Sequence, residues 1–374
     1  MILRKLKTEE HSLTRPLWER IFEEDTAEFL DYYYREIAEK NDIYVIEMDG
    51  AIRSMLHLNP CLLRVGKKEM ESRYIVAVST DTLYRHKGYM TELLKKSVRD
   101  MYDAQIAFTF LMPADENIYY PHDFRFIYDA DMWDAVSANG RELTAEKMTH
   151  HESGQKILFR AANQADCKRI AQFADRLLRE KYQVYMKRDW QYYERMLLEQ
   201  QSQKGGILLA ESEGEIVGTV LYDEEEAFSI REPMVLPGFE RVFEEKGMIL
   251  HRKEKKKPMI MARLLHVETL LSAMVCSEVM EIQFVLFDPV IRENNRLFIL
   301  RGNEEHLVVR TKTVVSGKDD VIQKISVDAL TSIIFGYQPI ERIEEEEKES
   351  FSDEFKEEIR KLIPLSRVFL NEIV

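Results

Sequence analysis

The chemistry-bearing residues of this chain concentrate between Tyr74 and Thr91. A β-branched run, Tyr74-Ile75-Val76-Ala77-Val78-Ser79, gives way to the turn Arg85-His86-Lys87-Gly88-Tyr89-Met90, which opens a helix. A helix N-terminus presents N–H groups that lack intrahelical acceptors, together with the positive end of the dipole, and so binds phosphate well. Gly88 lets the backbone approach an oxygen, and Arg85 and Lys87 add charge where a pyrophosphate would sit. Arg-x-x-Gly alone is a common pattern. Its position between a β-branched strand and an amphipathic helix separates this loop from an ordinary basic connection. A second polar stretch, Asp115 to Phe124, carries Tyr119, Tyr120 and His122; the tyrosines fit packing, a lid or proton donation. His150-His151 lacks the spacing and partners of a metal site, and no metal is expected.

The elements that must hold this loop follow from periodicity. Ile2 to Arg4 reads as a strand, and His11 to Glu23 and Thr26 to Tyr34 as helices. Ile43 to Met48 and Ala51 to Leu58 alternate around Asp49-Gly50, a strong hairpin signal. Met70 to Ser79 is a longer strand. Met90, Leu93, Leu94, Val98 and Met101 share one face of a helix from Thr91 to Tyr102, and Ile106 to Met112 is a buried strand. The pattern then recurs. Leu158 to Arg160 leads into a helix from Gln164 to Arg179, and Gly206 to Leu221 forms a hairpin around an acidic-Gly turn. Basic residues from Arg252 to Lys257 suggest a linker. Beyond it, Ile260 to Leu271 reads as a helix, Val279 to Phe287 as a strand, Leu297 to Leu300 and Leu307 to Arg310 as further strands, and Ser326 as a helix N-cap. Glu344 to Glu347 reads as a solvated loop, and the apolar tail ending at Val374 as docked. The expected class is α/β (α+β), with mixed, mostly antiparallel sheets and flanking helices, divided at 1–150, 151–257 and 258–374.

Composition bounds the function. The chain has 374 residues, 45% hydrophobic and 32% charged, with a formal net charge of −14. That disfavours nucleic acid as a partner and tolerates a cationic substrate, although an acidic surface equally serves solubility. Cys61, Cys167 and Cys276 are few, distant and odd in number, which fits a reducing cytoplasm. The start lacks the apolar core of a signal peptide, and no run approaches the ~18 apolar residues of a membrane span.

The segment around Arg85 and Gly88 resembles motif A of the GNAT superfamily, Arg/Gln-x-x-Gly-x-Gly/Ala. Met90 stands where the last small residue is usual, and this departure resembles the enhanced intracellular survival (Eis-like) branch of N-acetyltransferases. The resemblance implies tandem GNAT folds, the second without a cofactor loop, followed by a sterol-carrier-like α+β domain. It implies acetyl-CoA as co-substrate and transfer of its acetyl group to a primary amine, of the aminoglycoside, polyamine or lysine kind. It also implies a homo-oligomer, hexameric in several members.

Roles follow from the same resemblance. The backbone of Val76, Ala77 and Val78 pairs with the pantetheine arm, although such side chains are equally expected in a core strand. Arg85, His86, Lys87, Gly88, Tyr89, Met90 and Thr91 hold the pyrophosphate, largely through main-chain N–H groups. Ile118-Tyr119 matches the branch's Ile-Tyr pair, which makes Tyr119 the general acid for the departing thiolate, with Tyr120 as its neighbouring rival. The terminal carboxylate of Val374 reaches back as general base. Asp25, Glu28 and Asp31 lie on a helix facing the acceptor site, where they either attract an amine or are simply solvated. The alternative function is a non-catalytic scaffold that binds acyl-CoA or an apolar ligand.

Overall fold

Strand β1 (Ile2–Lys5) pairs antiparallel with β2 (Asp42–Met48), which Asp49 and Gly50 turn back into β3 (Ala51–Val65). Both turn residues have positive φ, 55° and 70°, as the Asp-Gly pair favours. The computed structural model describes residues 1–134, 147–151, 154–223, 229–245, 251–252, 254–314 and 322–372. β3 runs seven residues past the expected end at Leu58, through Pro60. Pro60 is opposite Arg73 of the next strand, β4 (Lys68–Thr80), while its other side lies beyond the β2 ladder, so the missing N–H breaks no pair. The helices α1 (Arg15–Ile21) and α2 (Ala27–Glu36) cover one face, and α3 (Tyr89–Asp103) packs on the other.

The first sheet continues through β5 (Phe108–Leu111), but β6 (Arg125–Ala130) is not its neighbour. A strand from far downstream, Lys257–Leu264, inserts between them and pairs antiparallel with both. Sequence reading expects a helix over Ile260 to Leu271. Instead, this strand is followed by a short helix, Val267–Leu271. A strand buried on both faces reads as a continuous apolar run, and over this length periodicity cannot separate it from a buried helix. The expected boundary between residues 257 and 258 therefore falls inside a strand of the first sheet.

The middle region repeats strand, helix and hairpin as expected: Lys156–Ala161, the helix Cys167–Lys181, then Gly206–Ser212 and Glu215–Asp223, in a separate five-stranded antiparallel sheet. A short strand, Val184–Met186, leaves this unit to pair with the far end of β3, and Val368–Phe369 of the tail pairs with it in turn. The C-terminal region forms a four-stranded sheet from Met280–Phe287, Arg296–Gly302, Leu307–Thr313 and Lys324–Ser326. Ser326 caps the next helix by accepting from the Ala329 N–H, as expected. The acidic run is not a solvated loop: it lies in a helix, Ile340–Glu347, whose Glu347 carboxylate is bound by Arg125 of β6. The class is thus mixed α/β with mostly antiparallel sheets and flanking helices. Among the described residues, no helix is long and apolar enough to cross a membrane.

Candidate active site

β4 and β5 run parallel only over Tyr74–Phe110 and Ile75–Leu111. Below that point two buried hydroxyls clamp them, with Ser72 Oγ donating to the Phe108 carbonyl at 2.8 Å and Thr109 Oγ1 to the Arg73 carbonyl at 2.6 Å. Above it β5 ends, and Pro113 removes a donor that could extend the ladder. The β5-facing edge of Val76, Ala77 and Val78 is left unpaired. Ala77 also has φ +52° inside a bulge, where the β3 register shifts between Met55 and His57. Such a left-handed non-glycine residue is sparsely populated and marks a functional site when its surroundings hold it. The bulge sets Val76 and Ala77 against the core under α1 and α2, whereas Ile75 and Val78 pack under α3. Sequence reading picked out these residues but not the bulge.

The basic loop follows at once. Asp81, buried between Arg20 (2.8 Å) and Arg53 (3.1 Å), caps a 3-10 turn by accepting from the Leu83 N–H. His86 and Gly88 both have positive φ, 61° and 80°, and Gly88 is the N-cap of α3. The first α3 bond runs from the Glu92 N–H to the Gly88 carbonyl at 3.1 Å, so the N–H groups of Tyr89, Met90 and Thr91 have no intrahelical acceptor. A Cβ on Gly88 would meet nothing within 4 Å; the cradle is open. Arg85, His86, Lys87 and Gly88 are exposed, whereas Tyr89 is buried and Met90 half-buried, both packed under α3. Lys87 Nζ lies 4.4 Å from the centre of the Tyr84 ring, whose other cation, Arg53, lies at 4.6 Å. The arrangement is a cationic, donor-rich nest able to hold an anion.

Tyr119 sits at a turn after β5, 7% exposed, in the same core as Ile75, Tyr89, Leu93 and Leu111. Its hydroxyl bonds no other described residue, and burial pushes its pKa up to about 12. Tyr120 points elsewhere, packed on Phe126 with the Arg125 guanidinium 5.1 Å from its ring. The Tyr119 turn is fixed from a distance. Arg263, on the inserted strand, is fully buried; it donates to the His122 carbonyl and bonds Asp123 at 3.0 Å and Asp288 at 2.7 Å. Burial lowers the pKa of His122.

Across the sheet lies a cavity of about 170 Å³. Strand residues Asn59, Cys61 and Tyr74 line it, as do Tyr32 of α2 and Glu199 of the helix Trp190–Ser202. Glu372 of the tail also reaches it, held by Arg188 Nη2 at 3.0 Å and the Tyr192 hydroxyl at 2.6 Å. Arg188 is itself buried and grips Glu232 as well. Val374 lies outside the described residues. The early carboxylates do not line this cavity: Asp31 is exposed and pairs with Arg15, Asp25 accepts from the Trp18 indole at 2.6 Å, and Glu28 is exposed. From α2, which carries Glu28 and Asp31, Tyr32 and Glu36 line the cavity. Sequence reasoning missed Arg188, Glu199, Arg263 and Glu372, none of which belongs to a local pattern.

Comparisons with known proteins agree with this geometry. Residues 3–127 match the family model described as an acetyltransferase (GNAT) domain. No curated protein matches the sequence. Among solved structures, a probable N-acyltransferase of unknown function from Enterococcus faecalis is 16% identical, with 97% of each chain covered and a TM-score of 0.78. A GCN5-related N-acetyltransferase from Kribbella flavida is 13% identical, covering 100% of this chain and 98% of its own, with a TM-score of 0.75. Eis1 from Mycobacterium abscessus is 13% identical, covering 100% of both chains, with a TM-score of 0.73. At such identities these likenesses show the fold alone, along essentially the whole chain. The open β4 edge and the anion nest both lie within residues 3–127, the span that matches the acetyltransferase (GNAT) domain model.

Proposed function

We propose that the protein is an N-acetyltransferase that moves the acetyl group of acetyl-CoA to a primary amine in a ternary complex. The observation that carries the reading is the opening of β4 from β5 at Val76, immediately before a donor-rich helix start. A pantetheine amide would pair with the free backbone edge of Val76 to Val78, and the pyrophosphate would rest on the Arg85 to Thr91 nest. The amine nitrogen attacks the thioester carbonyl carbon and the C–S bond breaks. Tyr119 gives its phenolic proton to the departing sulfur, and a carboxylate takes the proton lost by the nitrogen. A phenol that burial keeps protonated throughout the working range supports the acid role of Tyr119, as does its place in the same core cluster as Tyr89 and Ile75. Docking of the tail, with Glu372 in the cavity, supports the base role that the family resemblance gives to Val374. Lysine side chains and small polyamines are the acceptors we favour.

Release of free thiol from acetyl-CoA, measured across a panel of primary amines, tests this reading. We expect amine-dependent release. Binding of acetyl-CoA with no release by any amine overturns it.

A further inference from the structure

Glu199 is 7% exposed and lines the cavity between the first sheet and the middle unit. Its only side-chain partner among the described residues is the Tyr32 hydroxyl, at a long 3.5 Å, and no described cation comes within ion-pair distance. Burying a carboxylate without a partner is expensive, and natural proteins retain such groups where a ligand completes them. Burial here raises the Glu199 pKa to about 7, with the neighbouring Glu372 pushing the same way and Arg231 and Arg195 opposing. Glu372 is already engaged by Arg188 and Tyr192. Arg195 is half-buried and Lys40 exposed; both also line the cavity. Glu199 is therefore the anion in this cavity that lacks a counter-ion.

The space restricts what can enter. At about 170 Å³ the cavity is smaller than the roughly 300–1,000 Å³ that holds drug-sized ligands. Its strand side ends at Tyr74, the residue before Ile75, where the pairing of β4 and β5 stops and the edge assigned to the thioester begins. Its helix side carries Glu199.

We infer that the cavity is the acceptor site for an unbranched alkyl chain with two nitrogens, one reacting near Tyr74 and the other held as an ammonium by Glu199. This rests on the acetyltransferase reading and narrows its substrate class to slender diamines and lysine-like side chains, leaving out multi-ring aminoglycosides. Such a ligand supplies the cation that Glu199 lacks, and its methylenes cover the aromatic walls.

The test compares 1,5-diaminopentane, lysine, n-pentylamine and kanamycin as acceptors, with wild type and Glu199→Gln. With wild type, the two dinitrogen chains should exceed n-pentylamine in kcat/KM by about tenfold or more, and kanamycin should be poor. Glu199→Gln should erase the gap over n-pentylamine, mainly through KM. Equal use of n-pentylamine, strong use of kanamycin, or a gap untouched by Glu199→Gln overturns it. Calorimetric binding of 1,5-diaminopentane to both forms is read in parallel. If no amine releases thiol, the acetyltransferase reading fails by itself. The binding result still decides the cation site, which is overturned when wild type and variant bind alike or wild type does not bind.

Discussion

Arg263 holds Asp123 at 3.0 Å, joining a strand from the chain's last third to the turn that begins at Tyr119. The same guanidinium bonds the fully buried Asp288, which also accepts from the N–H groups of Val290 and Ile291. Replacing Arg263 with Met leaves the buried Asp288 and the half-buried Asp123 without their cation. Loss of one partner from such a buried set costs about 3–5 kcal/mol. Chemical denaturation should show that loss, and at temperatures where the variant remains folded kcat should fall as well, because the Tyr119 turn loosens. Unchanged stability would mean that Arg263 is dispensable.

The two neighbouring tyrosines should part company. Tyr119→Phe removes the proton donor and should lower kcat by about 10²-fold or more, the lower end of what general acid–base groups contribute. Tyr120→Phe should cost little, since that ring faces Phe126 and Arg125. The reverse order would reassign the acid.

Gly88→Ala tests the nest. An L-residue forced to φ +80° is strained by ~1–2 kcal/mol, so the melting temperature should drop modestly. The larger effect should be a rise in KM for acetyl-CoA with kcat little changed, as the backbone N–H groups are re-aimed.

Glu199 carries a pH signature in stability. Its pKa rises from 4.5 in the unfolded chain to about 7 in the fold. Between those values the folded state binds the extra proton, so this contribution is fully present below pH 4.5 and is lost as pH rises through 7. It amounts to something on the order of 3 kcal/mol. Denaturation of wild type and Glu199→Gln at pH 5 and pH 8 should show wild type losing more stability on going to the higher pH. Parallel behaviour would contradict the burial argument.

Much of the fold was legible because it is local. Asp49-Gly50 dictates its hairpin, Gly88 its helix start, and Ser326 its cap, each within a few residues. The Arg85–Thr91 loop was readable for the same reason. The remainder depends on partners that meet only after folding. Nothing near Met259 to Leu265 says that both faces will be covered, which is what makes it a strand and not a helix. Nothing near Glu347 announces Arg125, without which an acidic run reads as solvated. Glu199 and Glu372 come from separate helices and tails, and their meeting in one cavity is a product of the assembled sheets.

The strand Lys257–Leu264 also fixes an order of birth. β5 and β6 leave the ribosome early, each with an edge whose true neighbour has not yet been made. At 5–20 residues per second, that neighbour follows after a delay on the order of ten seconds. For that time the nascent first sheet is an unfinished template with open hydrogen-bonding edges, able to capture a wrong strand from its own chain or another. Synthesis rate and chaperone supply, more than the strength of any single contact, should therefore govern how much of this protein matures.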